Sequence, residues 1–381
     1  MADTTSTRNR PEIALFRSMR RAIGATQQEL ADWSADSGLD LSRDFVANLE
    51  NAGLPGTVRK FLAYWNVTRF DMELLAEQAL IDHLDRPPER SPDDVLDECH
   101  KLTVRGNPRA SLSLALSAAH AAKENEDPRG HARYMIAAAT AAVHLGQWRY
   151  ARDRAELALE SGALDLEDQA LARFTMAHAL FSGDRERSAL SVLESIDHPI
   201  LDAYPSIRGM VLFLKGQCHY VLDEHRKALV SFDHALRVIE DGSYYRLSMA
   251  ASGRAKTLMA LGRLEEATRA AQDAVRYADD SGNPQVRCGT HITLAKSFVK
   301  AGKIKAAREV LRVAEALALE HRFDHLLVHV RIVLFEIKIL NGPHHSMAGD
   351  IQRIRKEMRR SKVSRELVTY FDNLLARHPQ P

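Results

Sequence analysis

Seven turn positions recur along this chain at a nearly fixed interval, and that interval excludes most folds. Gly106, Gly146, Gly183, Gly262, Gly302 and Gly342, with Asp223 standing in the one gap, follow one another at 37 to 40 residues. Each separates an apolar helical stretch from a second, amphipathic one, as in "AAVHLGQWRYARDRAELALESG" from Ala141 and "KTLMALGRLEEATRAAQDAVRYADDSG" from Lys256. A two-helix unit cannot bury its apolar face alone, so units repeated at one period stack into an array in which each packs on its neighbours.

Five residues after most of these turns stands a small residue: Ala151, Ser188, Ala228, Ala267 and Ala307. Seven further on comes Ala158, Ala235, Ala274 or Ala314, on the same helical face. Small residues at both points let the second helix of a pair lie close to its own first helix and to the next unit. With 6% aromatic residues and no strand-forming runs, the composition agrees with an all-α chain. The pattern resembles the tetratricopeptide repeat, here at a period longer than its usual ~34 residues. The resemblance covers roughly Ser91 to Gly342 and implies a right-handed tetratricopeptide-like α-solenoid.

Three prolines in "RPPERSP", from Arg86 to Pro92, stop a helix and mark a boundary. The expected organisation is a disordered start over 1–9, a helical head over 10–85, a linker over 86–92, repeats over 93–360 and a capping helix over 361–381. The last of these, "SKVSRELVTYFDNLLARH", is expected to cover the final apolar face.

In the head, an amphipathic helix ends at Gly24, and Thr26 with Glu29 three residues later forms a capping box for a new helix. "LSRDFVANLEN" then turns Leu41, Phe45, Val46 and Leu49 inward and Ser42, Arg43, Asp44 and Asn48 outward. Arg20, Gln27, Leu30, Ala31, Leu49, Glu50 and Asn51 fall where the XRE or phage-repressor helix-turn-helix has its hallmark residues, and the segment resembles that family. The resemblance implies a salt bridge between Arg20 and Glu50, Gln27 at a DNA phosphate with Gln28 also at the DNA, and Ser42, Arg43, Asp44 and Asn48 in the major groove. Arg43 suits guanine and Asn48 adenine. Arg17, Arg21, Arg59 and Lys60 supply phosphate contacts. The stretch from Leu30 to Leu49 is about five residues longer than the family's usual spacing, so the turn "SADSGLD" is enlarged. A helical cap that does not touch DNA is the other reading of the same residues.

A formal net charge of +1 supplies no global basic field, so nucleic-acid affinity has to come from a local patch. Cys99, Cys218 and Cys288 are odd in number and far apart, which reads as core residues of a reducing, cytoplasmic compartment. No run is apolar enough for a membrane span. The densest histidine stretches, around His198, His321 and His344, lack ligand spacing, although His325 and His329 lie one turn apart. With no nucleophile elbow, phosphate loop or dinucleotide turn, the expectation is a non-enzyme with no catalytic residue, no metal and no cofactor.

Head and body together resemble the RRNPP class of peptide-responsive regulators, which includes quorum-sensing transcription factors and phage lysis-lysogeny regulators. The resemblance implies a homodimeric regulator that binds a double-stranded DNA operator and a short signalling peptide held by the solenoid. Two other readings stay open: an adaptor of the same plan that sequesters a protein without touching DNA, and a phosphatase-like relative. Counting back from the turns places Arg133, Arg173, Gln217, Lys256, Lys296 and Lys300 on the inner side formed by the first helix of each pair. Met210, Phe213, Tyr220, Met249 and Met259 fall on or beside it. An inner face with five cations suits an acidic peptide or its terminal carboxylate.

Overall fold

The computed structural model describes residues 26–36, 43–44, 46–47, 91–196, 198–240, 242–340, 347–361, 363 and 365–377. Every regular element among them is a helix. In the head, α1 spans Gln27–Asp36. The repeats begin with α2 (Pro92–Val104) and α3 (Pro108–Glu124), then α4 (Pro128–His144) and α5 (Trp148–Glu160). The third pair is α6 (Leu166–Ser182) and α7 (Glu186–Glu194), with a short α8 (His198–Ala203) after it. There follow α9 (Pro205–Val221) and α10 (His225–Val238), α11 (Tyr244–Ala260) and α12 (Leu264–Ser281), α13 (Pro284–Lys300) and α14 (Ile304–Glu320). The array closes with α15 (Asp324–Leu340), α16 (Ala348–Ser361) and α17 (Arg365–Arg377).

Local chemistry sets these boundaries. Asn107, Asp127 and Asn283 each accept the N–H three residues on, and a proline follows each of them at the first helical position. Such caps satisfy backbone donors that the first turn leaves free, and the fixed φ of proline suits that position. Ser91 does the same for Asp94, so the last residues of the proline-rich stretch already belong to α2.

The turns inside the pairs use one device, a single residue of positive φ: Gly106 (83°), Gly146 (77°), Gly262 (74°), Gly302 (71°) and Asp223 (59°). The third unit departs from the expected register. Its left-handed residue is Asp184 (57°), while Gly183 has φ −97°. Gly183 is required for another reason: a Cβ there would stand 2.8 Å from the Trp148 indole. The same one-residue slip moves the small contact residue. Ser188 is exposed, and Ala189 is the one that is buried.

In the other units the small residues are where the spacing puts them. Ala151, Ala228, Ala267 and Ala307 have no exposed surface, and Ala158, Ala235, Ala274 and Ala314 are buried with them. Helices so faced pack backbone to backbone, and the bulk that fills the remaining space is concentrated in few side chains. Phe232 of α10 is the clearest, because added methyls at Gly216 and Gly253 would meet its ring at 2.8 and 2.5 Å. Cys99, Cys218 and Cys288 are buried free thiols, and burial pushes them up to about 11, 12 and 12. Leu367, Phe371 and Leu374 of α17 pack on Val328, Ile332 and Phe335 of α15 and close the apolar face there. No described helix is long and apolar enough to cross a membrane.

Candidate functional site

Successive first helices touch one another through polar groups. Thr140 of α4 meets Thr175 of α6 at 3.3 Å, and Ser252 of α11 meets Thr293 of α13 at 3.1 Å. Further along, Lys296 Nζ of α13 lies 3.0 Å from His329 Nε2 of α15. His329 is held well below its ordinary value, first by burial and then by the charges of Lys296 and Lys256. A neutral imidazole so placed accepts the ammonium's proton at Nε2, which leaves no lone pair there for a metal. His329, one turn from His325 on α15, is thus engaged with Lys296.

Around this contact the face is built from residues at matching offsets. Gln217, Lys256, Lys296 and Glu336 each stand six residues before their turn position. Tyr370 of α17 enters between the last two: Lys296 Nζ sits 3.9 Å from its ring centroid, and its hydroxyl donates to a Glu336 carboxylate oxygen. Burial, with Glu336 beside it, raises the Tyr370 phenol above its usual range, and Tyr220 of α9 is near enough to add to the rise. Lys256 is half-buried and has no ion pair among the described residues. With Lys296 committed to His329 and Tyr370, Lys256 is the cation of this cluster open to an acidic group.

The other expected groove residues divide. Arg133 is a clasp between helices: it pairs with Asp93 of α2 at 2.9 Å and Asp168 of α6 at 3.4 Å, beside an Arg129–Asp165 pair. Its charge is spent on that network. Met210 packs against the core beside Val211 and Leu214, and Phe213 lies 6.0 Å from the Phe232 ring, so both support the helix pair behind the face. Tyr220 packs on His225. Arg173 is half-buried on α6, Gln217 half-buried on α9, and Lys300 exposed at the end of α13.

His329 enters the sequence reading only as a neighbour of His325, and Glu336 and Tyr370 do not enter it. His329 and Glu336 are found by the same count back from Gly342, at offsets thirteen and six. Tyr370 lies on a helix outside the repeats, where no periodic signal reaches it.

In the head, the capping box is present: Thr26 N–H donates to Glu29 at 2.7 Å, and Glu29 N–H to Thr26 Oγ1 at 3.2 Å. Gln27 is half-buried and Gln28 exposed, its amide donating to Asp32. Arg43 and Asp44 are helical and exposed, while Val46 is fully buried, the inward and outward division that the pattern implies. Ser42, Asn48, Arg17, Arg20, Arg21, Glu50, Arg59 and Lys60 lie outside the described residues.

Paired helices, one left-handed turn residue per pair and buried alanines at two fixed offsets decide the architecture. The body is a tetratricopeptide-like solenoid. No family model and no curated protein matches the sequence. Among solved structures, PlcR of Bacillus thuringiensis in complex with the peptide PapR7 and DNA is 13% identical, covering 71% of this chain and 95% of that one at a TM-score of 0.45. A tetratricopeptide repeat protein from Parabacteroides merdae is 13% identical over 74% of this chain and 98% of its own, at 0.46. The apo form of the competence regulator ComR from Streptococcus vestibularis is 14% identical over 75% and 98%, at 0.38.

Proposed function

We propose that this chain is a DNA-binding transcriptional regulator of the RRNPP kind, whose solenoid takes a short acidic peptide that changes its affinity for DNA. The observation that carries the ligand half is the juxtaposition of Lys256 and Lys296 on neighbouring first helices, with Lys256 lacking a counter-ion among the described residues. A half-buried, unpaired ammonium favours an anionic partner that completes it. The head supports the DNA half through its hallmark residues and through Arg43, which is exposed while Val46, one turn on, is buried. A cytoplasmic homodimer completes the reading, since one small helix-turn-helix reads only a half-site.

The test is a gel shift with the full-length chain and the DNA flanking its own gene, with and without synthetic peptides encoded by the small reading frames beside it. A sequence-specific shift that such a peptide alters is the expected result. No shift with any flanking DNA leaves the adaptor reading in its place.

A further inference from the structure

Six residues before Gly106 stands His100, the first unit's counterpart of Lys256 and Lys296. Its surroundings are different. The end of α2 touches the later connectors directly, where the Asn283 side-chain amide donates to the Val104 carbonyl. Beside that contact is a cavity of about 300 Å³ lined by His100 and Val104, the residues from Gly242 to Arg246 that lead into α11, and Asp280 and Ser281. That volume is at the lower end for small-molecule sites.

Its chemistry is that of an anion receptor. Arg246 is half-buried and has no ion pair among the described residues, and burial pulls its guanidinium below the usual range although the Glu240 carboxylate acts the other way. His100 is exposed at the edge of the cavity, and the protein packed around it, with the Arg246 charge, holds its imidazole below the ordinary value. Ser243 to Arg246, the N-cap and first residues of α11, line the same space. Ser243, at the N-cap, makes no side-chain capping bond to the first N–H groups, so the helix start keeps its donors and its positive dipole end. Tyr245 is half-buried in the wall and Tyr244 is exposed at its edge. The acidic group of the lining, Asp280, is exposed at the rim.

We propose that this cavity binds a small organic oxyanion, a carboxylate or phosphate ester, between the Arg246 guanidinium, the His100 imidazole and the free N–H groups of α11. The tyrosines flank its apolar part. Because the cavity is walled by the first unit and the fifth, the bound anion ties α2 to α11. The site shares no residue with the Lys256 and Lys296 cluster and stands without the peptide reading.

The experiment is isothermal titration of the full-length protein with phenyl phosphate, inorganic phosphate and phenol. Phenyl phosphate is expected to bind and phenol not to. Tighter binding of phenyl phosphate than of inorganic phosphate assigns the site to an organic anion, and equal binding assigns it to the free ion. Arg246→Gln is expected to weaken binding at least tenfold. Ser243→Asp places a carboxylate in the cavity at a position where Asp is a preferred cap, so it keeps the helix and is expected to abolish binding. Lys305→Gln, on the exposed side of α14, leaves binding unchanged. A wild-type protein that binds neither phosphate, or a Ser243→Asp protein that binds as wild type does, overturns the proposal.

Discussion

The ammonium of Lys296 covers the ring of Tyr370 at 3.9 Å, and the hydroxyl of the same tyrosine donates to Glu336. One side chain from the closing helix thereby satisfies a cation and a carboxylate on two neighbouring units. Tyr370→Phe removes the hydroxyl and leaves Glu336, only 9% exposed, without that donor. The expected loss is about 1–3 kcal/mol of unfolding free energy. Urea denaturation of the variant measures it, and an unchanged midpoint contradicts the contact.

Phe232 is the bulk against which two glycine-bearing first helices close. Phe232→Ala is expected to cost about 3–5 kcal/mol. Gly253→Ala drives a methyl into the ring and costs about 1–3 kcal/mol by overpacking. Both are read from thermal melts; restored stability in the double variant, where the methyl fills part of the space left by the ring, identifies the pair as one packing unit.

Much of this was legible in the sequence because it is periodic. The turn residues, the buried alanines and the Thr26–Glu29 box are local devices that a spacing reveals. The slip at Gly183 was not legible: a glycine chosen for the Trp148 indole looks the same as one chosen for its φ. Arg133 was misplaced in role for a similar reason, since its phase on α4 is visible while Asp93 and Asp168 come to it only through packing. Tyr370 and Arg246 depend on contacts between distant parts of the chain, which no period encodes.

Acid should weaken the repeats. His178 is pushed down to about 3, first by burial and then by His144, whose ring stands edge-on at 5.9 Å. A base with a lowered folded value takes up a proton on unfolding. Its contribution to stability is therefore present above about pH 6.5 and lost as the pH falls toward 3, by at most ~1.4 kcal/mol per pH unit. His178→Gln is expected to flatten the melting temperature against pH between 6.5 and 4.5. Identical slopes for the two proteins refute this.

Arg43 is exposed on its helix, and Arg43→Ala is expected to cost about 1–3 kcal/mol of operator binding and to relax specificity at one base pair. A basic residue that touches only phosphate would instead weaken all sequences alike. Anisotropy against the operator and its single-base variants separates the two, and full retention of affinity removes Arg43 from the interface.

The central claim is that the face carrying Lys256 and Lys296 receives an acidic peptide and passes its presence to the DNA-binding head. The most direct measurement is operator affinity of the full-length Lys256→Glu/Lys296→Glu protein, titrated with the peptide that shifts the wild-type complex. The account predicts unchanged affinity without peptide and no response to it. A double variant that still responds as the wild type does contradicts it.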